Sequence, residues 1–273
     1  MNWQIRDFLK AALAEDIGRG DVTSEILLPR VLKAKASFLF KEEGVVCGLP
    51  YAQEIFSLLG ADDFEVLHSD GVQVSAGTVV AVVSGPARAL LAGERVALNI
   101  MQHLSGIATR TRRWAELIAP YKAKLTDTRK TTPLLRNLEK YAVRVGGGKN
   151  HRFGLDDAVL IKDNHLTLVD IKTAVAKARA AIPHTMKIEV EAETPAQVAE
   201  ALEAGADIIM LDNMAPEEMA KMVEFIAGRA IVEASGGITE KNIVEVAKTG
   251  VDYISVGSLT HSVKAIDISL NFQ

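Results

Sequence analysis

The stretch GGGKNHRFG, residues 146–154, sets Lys149, His151 and Arg152 within four positions of one another and flanks them with glycine. Upstream, TDTRKTTPLLR adds Arg129, Lys130 and Arg136, with Thr128 beside them. Guanidinium forks and lysine ammonium groups are the usual partners of carboxylate and phosphate oxygens, so this cluster points to a small polyanion. Lys162 belongs to the same cationic side. Further along, Glu191 and Asp212 form an acidic pair suited to Mg²⁺, to ribose hydroxyls or to a developing cation. Ser235-Gly236-Gly237 and Gly257-Ser258 are small residues whose backbone N–H groups, just before helix starts, suit a phosphate. The combination calls for a pocket that takes a polyanion and a phosphorylated sugar together.

Such residues must be brought together by a fold, and the composition allows a large one. The chain has 273 residues, 48% hydrophobic and 24% charged, enough to bury a real core in one large or two unequal domains. A net charge of −4 argues against a general nucleic-acid binder, which would show a basic face. No apolar run reaches the ~18 residues of a membrane span, and MNWQIRDFLKAALAED reads as an amphipathic helix rather than a signal peptide. A cytoplasmic protein is expected. Cys47 is the only cysteine, which excludes an internal disulfide and a thiolate metal site.

The texture changes near residue 105. Before it come a helix over Trp3 to Ala14, a loop EDIGRGDVTS, and strand-like runs in KAKASFLFKEEGVVCG and GVQVSAGTVVAVVSG. The expected domains are 1–105 and 106–273, with the C-terminal tail allowed to pack back on the first. From Ala123 to Ser258 a strand-then-helix unit recurs six times: AKLTDTR, DAVLIKD, KIEVEAE, DIIMLDN, AIVEASG and DYISVGS are the strands. Gly205, Gly228 and Gly250 stand where helix C-caps belong, and Thr194, Ala215-Pro216 and Thr239 where the next helices open. Six units predict an incomplete α/β barrel. Every one of these strands ends polar, at Asp127 and Arg129, Lys162 and Asp163, Glu189 and Glu191, Asp212 and Asn213, Glu233 and Ser235, and Ser255 and Gly257. One such residue is as readily a helix cap as a catalyst, but six strands out of six are better explained by an active-site face at the C-terminal strand ends. Alternation puts Glu189 and Glu191 on one side of their strand, with Ile188 and Val190 against the helices.

The run DTRKTTPLLRNLEKYAVRVGGGKNHRFGLDDAVLIKDNH, followed by IEVEAET, IIMLDNM, EASGGI and VDYISVGSLTHS, closely resembles the carboxylating nicotinate-nucleotide diphosphorylase, or quinolinate phosphoribosyltransferase, family. The likeness extends through ERVALNIMQHLSGIATRTRR back to EDIGRGDVTS, nearly the whole chain. It implies an N-terminal α/β sandwich and a seven-stranded barrel-like domain. It also implies transfer of the phosphoribosyl group of phosphoribosyl pyrophosphate to quinolinate with Mg²⁺, giving nicotinate mononucleotide, pyrophosphate and CO₂ in NAD synthesis.

By the resemblance, Arg129, Lys130, His151, Arg152 and Lys162 would bind quinolinate, with Thr128 beside them. Glu191 and Asp212 would face ribose, pyrophosphate and metal, the ion being held mainly through pyrophosphate and water. Ser235, Gly236, Gly237, Gly257 and Ser258 would cradle the 5-phosphate. Arg95 of ERVALN would reach into the partner's site of a homodimer, with higher assembly left open. Lys130 and Lys162 are the two candidates to stabilise and protonate the carbanion left by decarboxylation. Three rivals are weighed against this. A Schiff-base aldolase using Lys162 leaves the arginine and histidine wall without purpose. The diverged paralogue found with molybdate uptake is disfavoured by the intact TRK, NHR and IKDNH motifs. A non-enzymatic anion binder would be handicapped by Glu191 and Asp212. His103, His165, His184 and His261 lack metal-ligand spacing and read as surface or capping residues, His165 being near enough to support the pocket. Trp3 and Trp114 read as packing anchors.

Overall fold

The computed structural model describes residues 3–273. Its described strands, in chain order, are β1 Lys33–Phe40, β2 Gly44–Val45, β3 Asp63–Val66, β4 Gln73–Val74, β5 Val79–Pro86, β6 Lys124–Thr126, β7 Val159–Ile161, β8 Ile188–Ala192, β9 Ile208–Asp212, β10 Ile231–Ser235, β11 Tyr253–Ser255 and β12 Ile268–Phe272. The chain forms two compact units that interleave along the sequence. The first comprises residues up to Arg112 with Thr132–Gly147 and Thr260–Gln273, and the second comprises Arg113–Thr131 with Gly148–Leu259.

In the first unit an antiparallel sheet runs β12-β1-β5-β3, beside the small ribbon of β2 and β4. The alternation of β1 sends Phe38 inward, where its ring meets Phe56 of helix Leu49–Leu58 edge-on at 6.0 Å and Phe64 of β3 at 6.0 Å. Helix Trp3–Ile17 buries Leu9 and Leu13, which stand one turn apart on the same face, and leaves Trp3 72% exposed. Trp3 therefore anchors no packing within the single chain, whereas Trp114 is buried. The loop expected over EDIGRGDVTS holds a short helix, Val22–Leu27, because the Asp21 carboxylate accepts the Ser24 N–H and caps it. Helix Ala87–Ile118 carries the chain into the second unit.

The second unit is a six-stranded parallel sheet in the order β6-β11-β10-β9-β8-β7 with helices between its strands, the architecture of an incomplete α/β barrel. All six strands fall inside the runs read from the sequence. Lys149 adds one parallel bridge to Thr126 on the free side of β6, which is how close this chain comes to a seventh strand. Caps set the strand–helix joints. Thr194 and Gln197 form a capping box with Pro195 in the first turn, and Gly205, Gly228 and Gly250 take positive φ values of 81°, 74° and 90° after their helices. Thr239 opens a turn instead of a helix: its N–H donates to Asn242 Oδ1, and the helix begins at Ile243. At the strand starts, Asp207 and Asp252 accept the backbone N–H groups of Ile188 and Val232, which ties neighbouring strands in register. Both faces of β8 are covered, so Ile188, Val190 and Ala192 are buried and worth roughly 1.5–3 kcal/mol for each large side chain. The same alternation forces Glu189 and Glu191 into the interior. Among the described residues no helix is long and apolar enough to cross a membrane.

Gly106 sits inside helix Ala87–Ile118, where alanine ordinarily gains about 1 kcal/mol. Here an added Cβ would run into the Lys264 backbone carbonyl and lie 2.9 Å from Val263 Cγ1. Gly106→Ala should therefore lower the thermal unfolding midpoint, and a raised midpoint would contradict this packing.

Candidate active site

Six strand ends surround a cavity of about 550 Å³. Thr128, Arg129 and Lys130 come from the loop after β6, Lys162 follows β7, Glu191 is in β8, Asp212 and Asn213 end β9, Ser235-Gly236-Gly237 end β10, and Ser255 ends β11. His151 and Arg152, just past the Lys149 bridge, close the ring. The register explains the convergence: Glu191 pairs with Met210, Met210 with Glu233, and Asp212 with Ser235. Side chains of one parity on adjacent parallel strands thus share one face.

Eleven of the fourteen residues expected to touch substrate or metal line this cavity, and the three exceptions are instructive. Gly257 and Ser258 do not line it, because β11 ends at Ser255 and the chain turns at once into the short helix Ser258–His261. Arg95 lies exposed on helix Ala87–Ile118 in the other compact unit. Asn213, Glu233 and Ser255, read from the sequence as polar strand ends without a named role, also line it, and Leu160 and Met210 are lining residues not singled out before. Gly236 has φ 85°, and an added Cβ would collide with Asn213, so the turn after β10 requires glycine there.

The cations gather in one part of the cavity lining. Arg152 donates from one guanidinium nitrogen to Ala158 O at 3.0 Å, and its pKa is lowered first by burial and then by the neighbouring Arg129. An anion beside these two guanidinium groups offsets the effect of the Arg129 charge on Arg152. Across the cavity Lys162 Nζ lies 2.6 Å from Glu191 Oε2, and Asp212 accepts a 2.7 Å hydrogen bond from the Asn213 amide.

Beneath the cavity lies a layer of buried acid. Asp127, fully buried, accepts the His151 N–H at 2.9 Å and the Asn150 side-chain amide at 2.5 Å. His151 Nε2 lies 3.1 Å from Glu189 Oε2 and 3.6 Å from Glu233 Oε1, while His151 Nδ1 accepts the Arg152 N–H at 2.8 Å. Burial and the Glu189 carboxylate push Glu233 up from 4.5 to about 7. The sequence displayed both acids among the polar strand positions, but only the register shows that they meet. His165 supports the site by accepting the Lys162 N–H on Nδ1, and His103 pairs with buried Glu139 in the first unit instead of lying on the surface.

The whole chain has recognisable relatives. Residues 21–105 match the model of the quinolinate phosphoribosyl transferase N-terminal domain, and residues 107–271 match that of its C-terminal domain. The chain belongs to the quinolinate phosphoribosyl transferase family. It is 47% identical over 270 residues to a probable carboxylating nicotinate-nucleotide pyrophosphorylase of Bacillus subtilis, covering 98% of this chain and 93% of that protein. The corresponding Mycobacterium leprae enzyme is 40% identical over 97% of this chain and 96% of its own length. Among solved structures, NadC from Streptococcus pyogenes superposes with a TM-score of 0.96 at 45% identity, covering 100% of this chain and 98% of the other.

The family's cavity floor in this chain makes a pH prediction. The fold keeps Glu233 protonated up to about pH 7, whereas the unfolded chain releases that proton near 4.5. Its contribution to stability is therefore full below 4.5 and is lost as pH rises through about 7. Glu233→Gln carries no charge at any pH. Its melting temperature relative to the parent should rise steadily between about pH 5 and pH 8; a difference that is flat or shrinks would refute the assignment.

Proposed function

We propose that this protein transfers the phosphoribosyl group of phosphoribosyl pyrophosphate to quinolinate with loss of CO₂, forming nicotinate mononucleotide and pyrophosphate for NAD synthesis. The observation that carries this reading is that two guanidinium groups, Arg129 and Arg152, line one cavity with Lys130, Lys162, Glu191 and Asp212. Quinolinate has two carboxylates on adjacent ring carbons. Arg129, Lys130, Arg152 and Lys162 match that density of negative charge, and a ligand with one carboxylate would leave part of it unanswered.

Each group then has a task. Ser235, Gly236 and Gly237 receive the 5-phosphate through backbone N–H groups, and Gly257 with Ser258 supports that end. The pyridine nitrogen attacks C1 of the ribose as the C1–oxygen bond to pyrophosphate breaks, and Glu191 or Asp212 stabilises the oxocarbenium-like centre between. The ring nitrogen becomes cationic. The bond to the 2-carboxylate can then break with its electron pair left on C2 beside N⁺, CO₂ departs, and a proton from Lys130 or Lys162 fills the site. Lys162 is already held at 2.6 Å by Glu191, which keeps its ammonium at the cavity wall. Held in an ion pair, that amine is a poor nucleophile, which weighs against a Schiff-base aldolase. The carboxylate oxygens of Asp212 and Glu191 line the cavity and suit a hard cation, so Mg²⁺ fits, bound mostly through pyrophosphate and water. Its contribution would be to neutralise the leaving pyrophosphate. The protein is further proposed to be a cytoplasmic homodimer in which the exposed Arg95 completes the partner's site.

The purified protein should convert quinolinate, and not nicotinate, to nicotinate mononucleotide with one CO₂ per product when given phosphoribosyl pyrophosphate and Mg²⁺. Arg152→Ala should raise the KM for quinolinate at least ~100-fold while changing that for phosphoribosyl pyrophosphate less than about threefold. Equal loss of both would contradict the division of the cavity. Sharing of Arg95 has its own test. Arg95→Ala and Asp212→Asn proteins, each inactive alone, should regain about a quarter of parental activity when unfolded and refolded together, since half the dimers are mixed and each has one complete site. No recovery would place Arg95 in its own subunit's chemistry or outside it.

A further inference from the structure

His151 has partners on both ring nitrogens, and they restrict what the ring can be. The Arg152 backbone N–H lies 2.8 Å from Nδ1. An amide N–H can only donate, so Nδ1 must offer a lone pair. A doubly protonated ring would set two N–H groups against each other there. The one remaining ring proton sits on Nε2, which faces Glu189 Oε2 at 3.1 Å and, behind it, Glu233 Oε1 at 3.6 Å.

This geometry decides between three uses of the cluster. Ligand atoms of His151, Glu189 and Glu233 lie within 4.8 Å of one another, as in a metal site. Coordination through Nε2 would move the ring proton to Nδ1, against the Arg152 N–H, so the hydrogen-bond pattern opposes it. An imidazolium gripping a substrate carboxylate is opposed by the same contact, and Nε2–H is already directed at the buried acids. The third use is mechanical support.

We infer that His151 works as a neutral Nε2–H ring and that Glu189, backed by Glu233, is a positioning residue for substrate binding. The Glu189 carboxylate fixes the ring. The ring fixes the Arg152 amide through Nδ1, and Asp127 fixes the His151 amide from below at 2.9 Å. Arg152 is thereby held at its backbone on one side and at Ala158 O on the other, which aims its guanidinium into the cavity. His151 moves from the cationic wall to the frame that holds the wall. The inference rests on the quinolinate reading only for its kinetic arm.

Two measurements test it. In ¹⁵N-labelled protein at about pH 7.5, the His151 side-chain resonances, assigned by their loss in His151→Gln, should show a protonated Nε2 and an unprotonated Nδ1. A doubly protonated ring, or a proton on Nδ1, overturns the inference whether or not the protein turns over quinolinate. In kinetics, Glu189→Gln retains an acceptor for Nε2–H and should keep the KM for quinolinate within about threefold, whereas Glu189→Leu should raise it at least tenfold, with the KM for phosphoribosyl pyrophosphate unmoved in both. Equal impairment by Gln and Leu would mean that the carboxylate's charge matters, as for an imidazolium, and would also overturn it. If the leucine variant does not fold, the glutamine variant and the ring resonances still decide. Absence of turnover by the parent would defeat the proposed reaction and leave the resonance result standing.

Discussion

Three carboxylates inside one parallel sheet have to be satisfied without water, and the interior of the second unit is organised around that constraint. Asp127, Glu189 and Glu233 are each at most 4% exposed. An ionised carboxylate left unpaired at such depth costs several kcal/mol. The three are settled by three devices: Asp127 by a backbone N–H and an amide side chain, Glu189 by an imidazole, and Glu233 by holding its proton to near neutrality. The first two devices depend on the segment from Lys149 to Arg152 running beside β6.

The same segment delivers the site's cations, so support and binding are coupled. Arg152 takes its place because His151 and Asp127 take theirs. Once there, it is partly buried beside Arg129, and both circumstances lower its pKa. Buried acids below and cations in the wall above give the cavity its polarity: Arg129, Lys130 and Arg152 line it together with Glu191 and Asp212. Preorganisation of this kind places the electrostatic cost in folding instead of in the chemical step.

Much of this was legible in the sequence because parallel strands buried on both faces write themselves as short apolar runs with polar ends. The six strands, the glycine C-caps and the identity of most cavity residues follow from that pattern. What could not be read was register. Glu189 and Glu233 were visible as strand residues, but their meeting depends on Glu233 lying beside Met210 and Glu189 beside Ile208, which no local signal encodes. Where the cavity ends is equally non-local: Gly257 looked like a lining residue until β11 stopped at Ser255. Trp3 anchors no packing within the single chain because the inward stripe of its helix, marked by Leu9 and Leu13, passes it by.

The glycines around the cationic segment follow from close packing. An added Cβ on Gly146 would collide with Ala108 O and Thr111, and Gly147 adopts φ 97°, which side chains disfavour. Only a chain without side chains there can arrive at Lys149 in position to bridge Thr126. That bridge is a single residue long. A full seventh strand would commit the amides of the following residues to a ladder and fix their side chains alternately in and out. Stopping after one bridge frees the His151 amide for Asp127 and the Arg152 amide for the His151 ring, so two consecutive residues can both serve the interior. The gap in the barrel is thus what lets the cationic wall and its support come from adjacent positions.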